Sequence, residues 1–104
     1  MRIQINHDDH IRSNRTRSQE IEAVVRGALD RFGERVTHVQ VHLSDENGPR
    51  FGADDKRCLI EARVAHREPI AVSHRAVNVQ QAVSGAATKL ERSLASALER
   101  ERSH

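Results

Sequence analysis

The stretch VTHVQVHLSDENG, Val36 to Gly48, decides the fold. Val39, Val41 and Leu43 fall on one parity and His38, Gln40, His42 and Ser44 on the other. A period of two belongs to a strand with one buried and one wet face, and the valines suit a pleated, half-buried surface. His38 and His42 therefore sit in a solvent-facing row. Four strand steps of roughly 3.3 Å place them about 13 Å apart, too far to share one metal ion. A zinc site needs three or four convergent ligands.

On the amino-terminal side, Met1, Ile3 and Ile5 alternate with Arg2, Gln4 and Asn6, a short strand over Met1 to Asn6. The polar run HDDHIRSNRTR follows as a loop. Its His7, Asp8, Asp9 and His10 are adjacent on a turn without a scaffold to converge them, and read as solvated. From Ser18 onward, Ile21, Val24, Val25, Ala28, Leu29 and Phe32 recur at spacings of three and four. That predicts a helix capped by Ser18, with Glu20 and Glu22 near its positive end, running to Phe32 and stopped by Gly33.

On the carboxy-terminal side, DENGPRFGADD reads as a long connection. KRCLIEARVAH places Cys58, Ile60, Ala62 and Val64 on the buried parity of a third strand. After Arg67-Glu68-Pro69, Ile70 and Val72 begin a fourth strand that ends near His74 and pairs antiparallel with the third. Asn78 caps a second helix, with Gln81 three residues on as in a capping box. Its apolar stripe is Val79, Ala82, Val83, Ala86, Leu90, Leu94, Ala97 and Leu98. The expected fold is α+β, in the order β-α-β-β-β-α. Strands one and two are parallel through a right-handed crossover, and two helices cover one face of a four-stranded, mostly antiparallel sheet. The other face is polar, carrying Arg2, Gln4, Asn6, His38, Gln40, His42, Arg57, Leu59, Glu61, Arg63, Ala71 and Ser73.

With 104 residues, the chain is expected to form one domain, residues 1–104, too small for a deep cleft between lobes. A net charge of +2 names no partner by itself. One cysteine, Cys58, allows no internal disulfide and reads as a small core thiol. The absence of a long apolar run and of a signal-peptide core points to a reducing cytosol. No triad, phosphate-cradling glycine loop or metalloprotease motif is present, so no enzyme, metal or cofactor is expected.

What remains is positive charge on the helices. The first offers Arg26 and Arg31, followed by Arg35, and the second offers Lys89 and Arg92 at a spacing of three. These residues are candidates to line a basic groove between the helices; the plain alternative is solvated charges paired with Asp30, Glu91 and Glu99. The only aromatics are Phe32 and Phe51, so a base-stacking platform is not expected, and any RNA binding would be directed to backbone and shape.

The segments VHLSDENG, DDKRCLIEAR and QQAVSGAATKLERSL, with the order of elements, resemble the ribosome hibernation-promoting and ribosome-associated inhibitor family, also called the sigma factor modulation family. The resemblance covers nearly the whole chain. It implies a double-stranded-RNA-binding-domain-like fold and a cytoplasmic, non-enzymatic protein, monomeric when free. Such a protein occupies the messenger and transfer RNA channel of the small ribosomal subunit in stressed cells and contacts its ribosomal RNA. Carried over by position, Lys89 and Arg92 in TKLER match basic residues of the family's second helix, and Arg31 matches one near the end of its first. Arg26 rests on exposure alone. The chain also resembles the family's short form, ending at His104. Where many members carry an acidic residue and a tyrosine, helix two here begins NVQQAV, and the first helix has fewer lysines. A second reading stays open on that ground: a protein-interaction module of the same fold that has lost ribosome binding.

Overall fold

Ile3 and Ile5 lie beside Val39 and Val41 in a parallel pair of strands, and the rest of the molecule is built outward from that pair. The computed structural model describes residues 1–7, 15–45 and 56–102. Phe51, most of the 45–55 connection and Asp8 to His10 lie outside the described residues. The elements are β1 (Arg2–His7), α1 (Arg15–Leu29), a 3-10 segment (Asp30–Arg35), β2 (Val36–Asp45), β3 (Lys56–Val64), β4 (Ile70–Ala76) and α2 (Val79–Arg102). The sheet order is β1-β2-β3-β4. β1 and β2 are parallel, and the β2-β3 and β3-β4 pairs are antiparallel, the α+β arrangement expected from the alternation.

Alternation sorts the two faces. Val39, Val41, Leu43, Cys58, Ile60, Ala62 and Val64 are buried beneath both helices, while Arg2, Gln4, Gln40, Glu61 and Arg63 are exposed on the other side. From α1 come Ile21, Val25 and Leu29; from α2 come Ala82, Val83, Ala86, Ala87, Leu90, Leu94 and Ala97. Each large aliphatic side chain withdrawn from water contributes about 1.5–3 kcal/mol, so these stripes hold helices and sheet together. No described helix is long and apolar enough to cross a membrane.

Several boundaries differ from the sequence reading. Helix α1 begins at Arg15, so Ser18 lies inside its first turn and does not cap it. No acidic residue occupies that turn, so Glu20 and Glu22 sit too far along to engage the positive helix end. The helix closes at Leu29 and tightens into the 3-10 segment, in which Gly33 takes φ 56°, a left-handed conformation that suits glycine. Val24, assigned to the buried stripe, is 38% exposed. A register shift between Val36 and His38 against β3 is an irregularity that turns Val36 inward, although strict alternation assigns it to the wet face. Strand β4 runs two residues past His74, to Ala76, through the pairing of Ala76 with Lys56. The cap of α2 is as expected: Asn78 Oδ1 accepts from the Gln81 N–H at 2.8 Å.

Candidate nucleic-acid interface

Helix α2 crosses the sheet with Leu90 and Leu94 buried beneath it, and this sets the direction of its charged residues. Lys89 and Arg92 are exposed beside the buried stripe. The Lys89 ammonium donates to the Ser73 carbonyl at 2.9 Å, which fixes that flank of α2 over the edge strand β4. Arg92, less than one turn further on, borders a cleft of about 990 Å³ between α2 and the turn that joins β3 to β4.

Arg26 lies at the other edge of the sheet. Its guanidinium donates to Glu22 Oε1 at 2.8 Å and lies 3.5 Å from the Met1 carbonyl oxygen, beside β1, which stands at the opposite end of the strand order from β4. Arg31 is in the 3-10 segment, exposed, with its guanidinium 4.8 Å from the centre of the Phe32 ring, a cation–π arrangement. The expected grouping of these cations in a groove between the helices is thus not what the fold produces. That groove, about 590 Å³, is lined by Arg17, Glu20, Ile21, Val24, Val79 and Val83, among others, and by none of the four. Spacing shows which residues flank a buried stripe. It does not show which flank meets the neighbouring helix.

The histidine pair of β2 is on the wet face, as the alternation requires. His38 Nδ1 lies 3.2 Å from Thr37 Oγ1, and His42 Nε2 lies 3.4 Å from Glu61 Oε1. The second is a near approach that does not make a hydrogen bond, since His42 Nε2 has no hydrogen-bond partner among the described residues. Among the described residues, no three His, Cys, Asp or Glu side chains converge as metal ligands. Burial pushes the Cys58 thiol up to about 12, which keeps it protonated and unreactive at neutral pH.

The sequence reading missed Arg67 and Arg100. Arg67 falls in a strand break and Arg100 lies beyond the apolar stripe, yet both border the same cleft as Arg92. A signal was present in the four-residue spacing of Arg92, Ser96 and Arg100, which sets all three on one line of a helix.

With this geometry established, comparison with known proteins assigns a family. The family model described as sigma 54 modulation protein / S30EA ribosomal protein matches residues 3–102. Among solved structures, the Protein Y N-terminal domain of Thermus thermophilus is similar at 18% identity and a TM-score of 0.70, over 89% of this chain and 94% of that one. A ribosomal subunit interface protein from Coxiella burnetii is similar at 12% identity and a TM-score of 0.70, over 95% and 99%. At such identities these structures speak for the fold. No curated protein sequence matches the chain.

Proposed function

This chain belongs to the sigma 54 modulation protein / S30EA ribosomal protein family, and from that premise we propose that it is a translation inhibitor and hibernation factor of the stressed cell. In this reading the cytoplasmic protein binds small-subunit ribosomal RNA in the messenger and transfer RNA channel. The family is ribosome-associated and non-enzymatic. The observation that carries the finer reading is the family match over almost the entire chain, joined to exposed cations on both helical elements.

Lys89 and Arg92 on α2 are the principal RNA contacts in this proposal, with Arg31 and Arg26 as contacts from α1 and the segment after it. Guanidinium and ammonium groups suit phosphate oxygens, which position a protein on RNA without reading its sequence. The described residues offer only Phe32 as an aromatic, and it is half-buried, which favours backbone contacts over base stacking.

The test is a Lys89→Glu, Arg92→Glu double variant, compared with the parent by sedimentation with small subunits and by translation in vitro. A folded double variant should bind at least about tenfold more weakly, a loss of ~1.4 kcal/mol, and should no longer inhibit. Unchanged inhibition would remove these two residues from the site. A parent protein that stays soluble at low salt in starved cells, and recovers a defined protein partner without ribosomal proteins, would favour the interaction-module reading instead.

A further inference from the structure

Strand β4 (Ile70–Ala76) stands last in the sheet order. β3 pairs with one of its edges, and among the described residues no strand runs along the other. Such an edge offers main-chain N–H and C=O groups to any extended chain that approaches it. The Ser73 carbonyl points to this side and accepts from the Lys89 ammonium at 2.9 Å. Main-chain groups alternate between the two edges of a strand from one residue to the next, so those of Ala71 and Arg75 share the outer edge with Ser73.

This edge is complementary to a second copy of itself. With a two-fold axis at Ser73, an antiparallel neighbour sets Ser73 against Ser73 and Ala71 against Arg75 of the second copy, so no two arginines stand opposite each other. On the helix side the same register sets Val72 against His74 and Ile70 against Ala76. The central serines would exchange both N–H to carbonyl bonds.

Lys89 obstructs that pairing in two ways. Its ammonium occupies the carbonyl that the central pair needs, and two copies would bring two ammonium groups together at the axis, where like charges repel. The helix holds Lys89 close to the edge: a Cβ at Gly85 would overlap the His74 imidazole, so α2 is seated directly on β4 one turn before Lys89. A lysine over an edge strand is a general means of keeping sheets from joining.

We propose that the outer edge of β4 is a strand-pairing surface for β4 of a second copy of this chain, held closed by Lys89. The contact is autoinhibitory: it keeps the chain single by capping the acceptor at the centre of the pairing register. It is independent of the ribosomal reading, because it needs only the edge strand and the ammonium over it.

The experiment compares the full-length parent with Lys89→Met and Lys89→Arg by sedimentation equilibrium over a range of concentrations. The parent and Lys89→Arg, which keeps a cationic donor over the edge, should stay at 11.7 kDa. Lys89→Met should rise towards twice that mass as concentration increases. Hydrogen exchange then locates the contact, with the Ser73 and Ala71 amides gaining protection in the associated Lys89→Met protein. Adding Ser73→Pro, which removes the central N–H at a position where an edge strand tolerates proline, should return Lys89→Met to a single chain. A Lys89→Met protein that stays single at every concentration overturns the proposal, as does a parent that pairs equally well. Association of Lys89→Met without protection at Ser73 and Ala71 places the contact elsewhere and overturns the β4 surface. Assembly beyond two chains overturns the two-fold register.

Discussion

Lys89 on α2 donates from its ammonium to the main-chain carbonyl of Ser73 on β4 at 2.9 Å, so a residue proposed to meet RNA also pins the helix to the sheet edge. The two roles separate by substitution. Lys89→Met keeps the aliphatic stem and loses the donor; because the site is exposed, the cost should be at the low end of the 0.5–1.5 kcal/mol of an ordinary hydrogen bond, about 0.5 kcal/mol. Thermal melting should show a fall of a few degrees. A Lys89→Met protein with full small-subunit affinity would mean that the ammonium serves the edge strand alone.

Leu90 is the clearest core position on α2, with no exposed surface. Its truncation to alanine removes apolar burial and leaves a cavity that packed neighbours only partly fill, so Leu90→Ala should cost about 2–5 kcal/mol. In a small domain that is a large share of the total. Denaturant unfolding reads the loss as a lower midpoint; a midpoint within error of the parent would show that the stripe does not carry the packing.

Local chemistry made these core residues legible, since alternation and three-four spacing need no knowledge of the partner. Val36 escaped because the register shift that turns it inward depends on its pairing with Val64, a contact between distant parts of the chain. Arg26 and Lys89 were grouped because helical spacing records a side of each helix and no more. Their separation follows from the strand order, which sets β1 and β4 at opposite edges. Arg67 and Arg100 meet one cleft only because the β3–β4 turn folds back onto α2.

Gly85 owes its place to His74. A Cβ at Gly85 would overlap the His74 imidazole, which faces the helix from β4, so the absence of a side chain lets α2 settle on the edge strand. Gly85→Ala should gain helix propensity but force the ring aside, and the net effect should be destabilising. In a His74→Ala background the clash is gone, and the same change should stabilise by roughly 1 kcal/mol, the propensity difference between glycine and alanine. A double-mutant cycle by thermal melting checks this; additive effects would remove the packing argument.

Cys58 gives a pH prediction with a definite sign. Its thiol is pushed from 9.0 up to about 12 by burial, so the folded chain keeps a proton that the unfolded chain releases above pH 9. Stability contributed by this group is complete below pH 9 and lost as pH rises towards 12, with a slope of up to about 1.4 kcal/mol per pH unit. Comparison with Cys58→Ala isolates this part, because other groups titrate in the same range. At pH 8 the native thiol should resist a disulfide reagent and the unfolded thiol should react; rapid labelling of the native chain would contradict the burial.

Arg26 and Arg92 should differ in what their loss costs on the ribosome. The Arg26 guanidinium is already met by Glu22 at 2.8 Å, with both side chains nearly half exposed, a pairing that contributes only about 0.3–0.5 kcal/mol to stability. It also places a carboxylate beside any approaching phosphate, which offsets the attraction. Arg92 shares its cleft with Arg100, whose field adds to its own. Arg92→Ala should therefore weaken small-subunit binding about tenfold and lower the salt slope by roughly 0.7–0.9, whereas Arg26→Ala should change affinity by less than about twofold, or ~0.4 kcal/mol. Removing the carboxylate tests the cause: Glu22→Gln should strengthen binding if Arg26 approaches RNA. Sedimentation of labelled variants with small subunits at several salt concentrations measures all three. Equal losses for Arg26→Ala and Arg92→Ala would place the β1 edge in the interface on the same footing as α2.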